Sequence, residues 1–397
     1  MSTDHATRTA GQGGSLSAAM NGITALNQRM PMPDIARFLG IVLVYYGHII
    51  ERVMYLHDPT ATMHYKLIYS FHMPFFFLLA GYVADAGKGH LPLRLFLRRQ
   101  AASRLVPYLF FSALLILMSL VLPGHFVLAD VTSAQGYMKG MLTTLLGFPV
   151  FNIPLWFFVS LFAVELLHYG TGRFLNTDFR LLAAAVLFYI GGYYLTLKVQ
   201  FFPGANLWFV YEAPVVYAFY LAGVFLRRKG FLLRRPSVSA LLGGIAACAF
   251  VVALTFTLNK GPFRFFDAVV IVLGGHGHLF WFPFTALAGS VMLLLAGSLC
   301  GNSRSLRYLG ENTLIFFCLN GVFYHFFNGP FAEWFMASLP VNPVTVTAAG
   351  SGFTVLSLAC CVPAVVFLRR YLPQLVGRPA QDGPLLRPLI GRNRGPA

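Results

Sequence analysis

The chain has 397 residues, of which 57% are hydrophobic and only 11% charged, with a formal net charge of +16. Soluble domains carry about 25% charged residues, so an ordinary water-soluble enzyme, a disordered chain and a fibrous protein are excluded. The apolar runs are continuous rather than alternating, which excludes an outer-membrane barrel and leaves an all-α, polytopic helical membrane protein.

In chain order, residues 1–30 are polar and rich in Gly and Ser, and read as a disordered cytoplasmic tail without the apolar core of a signal peptide. Ten apolar segments of spanning length follow, near 35–55, 66–85, 103–122, 153–171, 181–198, 207–226, 238–258, 278–299, 307–327 and 345–368. A crossing needs about 20 residues. Two shorter apolar stretches, 137–151 and 263–275, read as interfacial or re-entrant. Residues 31–372 thus form one membrane-embedded domain. The Pro-, Gly- and Arg-rich tail, 373–397, is expected to lie in the cytoplasm without a fold of its own. No internal repeat marks two related halves, which weighs against a transporter built from such halves.

The charges orient these segments. With the N-terminus in the cytoplasm, the basic residues on the opposite side are Arg52, Lys66, Lys139, Lys198, Lys260 and Arg264. Nearly all the others face the cytoplasm, a positive-inside pattern that places both termini there. The basic surplus is topology charge between apolar runs, so no nucleic-acid partner is expected. The five cysteines fall in or at the ends of apolar segments and fit neither a disulfide framework nor a zinc site. His276 and His278 lie in a GGHGH stretch without a nearby acidic or cysteine ligand, and no metal is expected.

Polar groups inside apolar runs are the candidates for chemistry, since a charge at the bilayer centre costs about 2.5–3.5 kcal/mol on insertion scales. In the first span Asp34 and Arg37 are three residues apart and can pair. Arg37 and His48 are eleven apart. At 100° per residue that is about 1100°, within about 20° of three turns, with a rise of about 16 Å. Both side chains therefore leave the same face at different depths. His72 opens the apolar part of the second span at a matching depth, and an imidazole there suits general base work. The loop that follows carries Arg94, Arg98, Arg99 and Arg104, either as topology charge or as a clamp for an anionic ligand. Glu165 and Glu212 lie inside later spans and need partners or a cavity. Trp156 is either part of an aromatic belt or a platform for a sugar ring.

These pieces together resemble the acyltransferase-3 family of integral-membrane acyltransferases, in particular its fucose 4-O-acetylase-like branch. The family opens with Asp, then Arg or Lys, then His after ten residues; Asp34, Arg37 and Gly47–His48 stand at that spacing. Its second span carries Phe-His-Met-Pro and ends in Gly-Tyr, like Phe71–Pro74 and Gly81–Tyr82. Its arginine-rich loop runs into Pro-Tyr, like Arg99, Arg104, Pro107 and Tyr108. Pro154–Phe157 and Leu221–Gly223 resemble later landmarks, and the likeness covers about residues 33–370. Phe38 replaces the usual Gly after Arg37, and Asn320 stands where the family usually has His. His325, five residues on and about 140° round an α-helix, is no evident substitute.

The resemblance implies transfer of an acyl group, usually acetyl, from a coenzyme A thioester to a hydroxyl of a saccharide or glycolipid of the cell envelope. It implies a multi-pass protein of a bacterial inner membrane. Acetyl-CoA or another acyl-CoA is then a donor substrate, with no cofactor held permanently. His48 is the expected base, with Asp34, Arg37 and His72 in the catalytic set. Arg37 is expected to orient the thioester or stabilise developing negative charge. Arg98, Arg99 and Arg104 are expected to hold the donor's phosphates, and Trp156, Glu212 and Asn320 the acceptor. The competing reading is a transporter or flippase of a lipid-linked or acidic envelope molecule, for which buried His, Arg and Glu would line a path.

Overall fold

The computed structural model describes residues 31–84, 91–122, 132–198, 206–233, 236–263 and 267–391; the tail expected over 1–30 lies outside them. The helices in chain order are α1 (Pro31–Tyr55), α2 (Pro59–Tyr69), α3 (His72–Tyr82), α4 (Leu93–Val121), α5 (Ala134–Leu145), α6 (Ile153–Phe174), α7 (Asp178–Lys198), α8 (Ala213–Arg228), α9 (Val238–Thr255), α10 (Trp281–Leu299), α11 (Arg304–Glu311), α12 (Thr313–Ser338) and α13 (Pro343–Tyr371). Among the described residues, eight are long and apolar enough to cross a membrane: α1, α4, α6, α7, α9, α10, α12 and α13. The two expected spans missing from that set are also helical. The sixth is the short α8, and the second is divided into α2 and α3.

The division has a local cause. Pro74 lacks an amide hydrogen and its ring clashes with the carbonyl four residues back, which disfavours an unbroken helix through 70–74. The chain leaves helical geometry at Phe71 (φ −144°, ψ −19°) and starts again at His72. At the break the Ile68 carbonyl accepts from the Phe71 amide at 3.2 Å and also from His72 Nδ1 at 2.9 Å.

α1 is the central post, packed against α2, α3, α10, α11, α12 and α13. α8 is a second hub against α3, α6 and α7. At the crossing of α3 and α8, a Cβ on Gly81 would lie 1.9 Å from the Tyr220 carbonyl oxygen, and one on Gly223 would lie 1.8 Å from the Leu78 carbonyl oxygen. Reciprocal glycines let two backbones touch, which is how membrane helices gain packing energy without a solvent-driven hydrophobic term.

Two helices contain a π turn, Ala101–Leu105 in α4 and Phe323–Phe327 in α12. Each carries residues of the cavities described below. The stretch 137–151 contains most of α5, whereas the described part of 263–275 has no α-helix, only a 3-10 turn at Ile271–Leu273 and a bridge between Val270 and Gly275.

Residues 373–391, the described part of the C-terminal tail, lie against the bundle. Buried Gln374 donates from Nε2 to the carbonyls of Gln381 and Leu386, and Arg98 donates to that of Leu389. The buried Pro373, Gln374 and Val376 pin the segment to the bundle, an attachment that a Pro/Gly/Arg-rich composition conceals.

Candidate functional site

A cavity of about 530 Å³ opens where α1, α2, α3, α6 and α12 meet the non-helical segment 269–273. Non-helical backbone at membrane depth is tolerated where it lines such a space. The polar residues in its wall are His48, Glu51 and Arg52 from α1, His72 from α3, and Tyr324 and His325 from α12. Tyr55, Tyr65, Tyr69, Trp156 and Phe317 supply aromatic surface. The volume is in the range of small-molecule sites, and apolar walls with a few convergent polar groups are their usual chemistry.

His48 is held by Asn320. Its Nδ1 donates to the buried amide oxygen Oδ1, so Nε2 keeps the lone pair. His72 is fixed in the same tautomer, because the Ile68 carbonyl can only accept. The Tyr69 ring stands between the two imidazoles, 6.5 Å from that of His48 and 4.7 Å from that of His72, centroid to centroid. Tyr324 meets His48 edge-on at 5.0 Å. His48 and His72 thus each present an acceptor nitrogen to a largely apolar cavity whose wall also carries His325.

Glu51, one helical turn beyond His48, is buried and saturated with donors. Tyr55 donates to its Oε1 at 2.5 Å, Tyr324 to the same oxygen at 3.3 Å, and Tyr69 to Oε2 at 2.9 Å. Beside it the Arg52 guanidinium donates to the Tyr324 carbonyl at 3.1 Å and lies 4.7 Å from the centre of that ring.

A second cavity of about 260 Å³ lies toward the other end of α1 and is lined by Arg37, Arg104, Glu165, Glu311 and Arg378. This is the end where basic residues gather. Arg104 makes a two-pronged pair with Glu165, Nε to Oε2 at 3.1 Å and Nη2 to Oε1 at 2.9 Å. Arg37 Nη1 reaches Asp34 Oδ1 at 3.1 Å. Arg378, from the C-terminal segment, donates to the Glu311 carbonyl at 3.3 Å. Phe317 lines both cavities. With Phe76 and Phe157 it forms an aromatic layer, its ring 6.2 Å from Phe76 and 5.6 Å from Phe157, with Phe76 and Phe157 5.7 Å apart.

The structure therefore distributes the expected site residues over two places. His48, His72 and Trp156 line the larger cavity, and Asn320 touches His48 from behind. Arg37 and Arg104 line the smaller one, with Asp34 behind Arg37. Arg37 cannot reach a group held at His48 Nε2, because eleven residues of helix separate them by about 16 Å. Arg98 is exposed on the Leu389 carbonyl, Arg99 is half-buried beside it, and neither lines either of these two cavities. Glu212 is buried, accepts from Asn206 Nδ2, and lines neither cavity.

Sequence reading missed Glu51, Tyr69, Tyr324, Arg378 and the cavity role of Arg52. Only Glu51 had a signal. It follows His48 by three residues on one face, and an acid in the last turns of a long apolar helix opposes the helix dipole. His325 corrects the α-helical argument, since the π turn Phe323–Phe327 shifts its phase and brings it to the cavity wall. Among the described residues no group of three or more His, Cys, Asp or Glu is placed to hold a metal ion.

A family model described as an acyltransferase domain matches residues 32–366. No curated protein and no solved structure matches the chain.

Proposed function

The chain belongs to the acyltransferase-3 family of membrane acyltransferases, and from that premise we propose that it moves an acetyl group from acetyl-CoA to a hydroxyl of a cell-envelope saccharide or glycolipid in a bacterial inner membrane. The observation that carries this reading is His48, whose Nε2 lone pair belongs to a ring fixed by Asn320 at the wall of the larger cavity.

In this reading the two cavities serve the two substrates. Donor phosphates are held at the basic end by Arg37, Arg104 and Arg378, where guanidinium groups suit phosphate geometry. The positive-inside pattern puts that end in the cytoplasm, where coenzyme A thioesters are made. The thioester arm extends past the Phe76–Phe157–Phe317 layer toward His48. The acceptor sugar enters the larger cavity and lies against Trp156 and the tyrosines.

The chemistry is general base catalysis. The acceptor hydroxyl passes its proton to His48 Nε2 while its oxygen bonds to the thioester carbonyl carbon. The tetrahedral intermediate collapses as the carbon–sulfur bond breaks, and His48 returns the proton to the departing sulfur. His72, also with an acceptor Nε2, is placed to orient the attacking hydroxyl.

The test uses membranes carrying the full chain, radiolabelled acetyl-CoA and total envelope glycans, with label followed into alkali-labile ester. Protein-dependent label is expected, falling by roughly 100-fold or more in His48→Ala. Full label in that variant overturns the role of His48. No label with either acetyl-CoA or succinyl-CoA overturns the reading in favour of transport.

A further inference from the structure

We infer that Glu51, clasped by three tyrosine hydroxyls, is the electrostatic counter-charge that stabilises the His48 imidazolium during transfer, and that the tyrosines hold this carboxylate in place. The inference rests on the acyl-transfer reading given above, for which His48 must gain and lose a proton in every turnover.

The geometry makes the case. Glu51 follows His48 by three residues on α1, so the two share a face of one rigid helix. The carboxylate is buried and both its oxygens accept hydrogen bonds, from Tyr55 and Tyr324 on one and from Tyr69 on the other. Three donors from three directions fix the position of the carboxylate beside the imidazole. So many donors also leave it little capacity to bind a ligand, which argues against Glu51 as an acceptor-binding group. Two of its three tyrosines, Tyr69 and Tyr324, are the rings that flank the His48 imidazole, so one cluster fixes both partners. The other polar or titratable groups around the imidazole are Arg52 on α1, Tyr69 and His72 from α2 and α3, and Asn320, Tyr324 and His325 on α12. Within this set Glu51 carries the negative charge and Arg52 the positive one. Arg52 is turned onto the Tyr324 carbonyl and ring, which leaves Glu51 as the charge that favours a cation at His48.

When His48 takes the acceptor proton, a neutral imidazole becomes a cation in an enclosed, weakly polar space. A fixed negative charge one helical turn away stabilises that state without moving, which is preorganised electrostatic catalysis. In this proposal the transferred proton is carried by His48 and not by Glu51. Glu51 is a positioning residue that acts through His48.

The experiment measures kcat, KM for acetyl-CoA and the rate–pH profile between about pH 5 and 8 for label transfer to total envelope glycans, in membranes with the full chain. In Glu51→Gln, kcat is expected to fall about tenfold to a hundredfold with KM for acetyl-CoA unchanged, and the acidic limb of the profile to move to lower pH. Glu51→Asp keeps the charge and is expected to recover the wild-type limb. Tyr55→Phe removes one donor while sparing Tyr69 and Tyr324, and is expected to move the limb in the same direction as Glu51→Gln but by less. A Glu51→Gln protein that extracts from the membrane as a monodisperse species and transfers label with the wild-type profile overturns the inference. A raised KM with an unmoved limb also overturns it, in favour of Glu51 as a binding group. Wild-type protein without transfer from any acyl-CoA is the separate outcome that overturns the acyl-transfer reading.

Discussion

Asn320 shows how much a single position decides. Where the family usually places His, this chain places an amide whose oxygen accepts from His48 Nδ1. A buried amide cannot carry a catalytic proton, but it can select a tautomer, and the tautomer decides which ring nitrogen has the lone pair. Asn320→Leu removes that selection with little change of volume. It is expected to lower kcat about tenfold, the worth of one such hydrogen bond, with KM for acetyl-CoA unchanged. Steady-state kinetics on both variants, Asn320→Leu and His48→Ala, separates tautomer control from loss of the base. At the other end of α1, Arg378 donates to the Glu311 carbonyl and lines the basic cavity. Arg378→Ala is expected to raise KM for acetyl-CoA about tenfold and leave kcat nearly unchanged, the signature of a lost ground-state contact.

At the scale of the element, irregularity in the helices builds the site. The break between α2 and α3 seats the His72 ring on the Ile68 carbonyl, and the π turn in α12 brings His325 to the wall. A second π turn carries Arg104 toward Glu165. These departures are held in place by close helix packing elsewhere. The contact of α3 with α8 depends on Gly81 and Gly223, since a Cβ on either meets a carbonyl oxygen below 2 Å. Gly223→Val is expected to push α3 from α8, destabilise the bundle by about 1–3 kcal/mol and lower the thermal midpoint of the detergent-extracted protein. An unchanged midpoint would show that the two helices separate without cost.

For the molecule as a whole, the arrangement is two cavities at opposite depths of one bundle, divided by an aromatic layer with Phe317 in both walls. The donor charge and the base lie on different sides of that layer, so the thioester must cross it in the proposed reaction. Phe317→Trp enlarges the barrier without adding charge. It is expected to lower kcat about tenfold or more, since a misplacement of about 1 Å at a reacting centre can cost a hundredfold. Transfer at the wild-type rate in Phe317→Trp would mean that the donor does not pass this way.

The sequence by itself determined the solvent, the helix positions and the first half of the site. Apolar length fixes where a chain must become helical in a bilayer, and the fixed pitch of α1 places Arg37 and His48 on one face. It also made the pairing of Asp34 with Arg37 legible, since both lie in one turn. Only the tertiary structure decided what those residues face. The three tyrosines that hold Glu51 come from α1, α2 and α12, and Asn320 reaches His48 across a separation of 272 residues. Spacing along a chain carries no information about such meetings. The same limit hid the attachment of the C-terminal segment and the separation of Arg98 and Arg99 from either cavity. Contacts of that kind arise from packing between helices, where shape and backbone approach decide, and hydropathy and periodicity describe each helix alone.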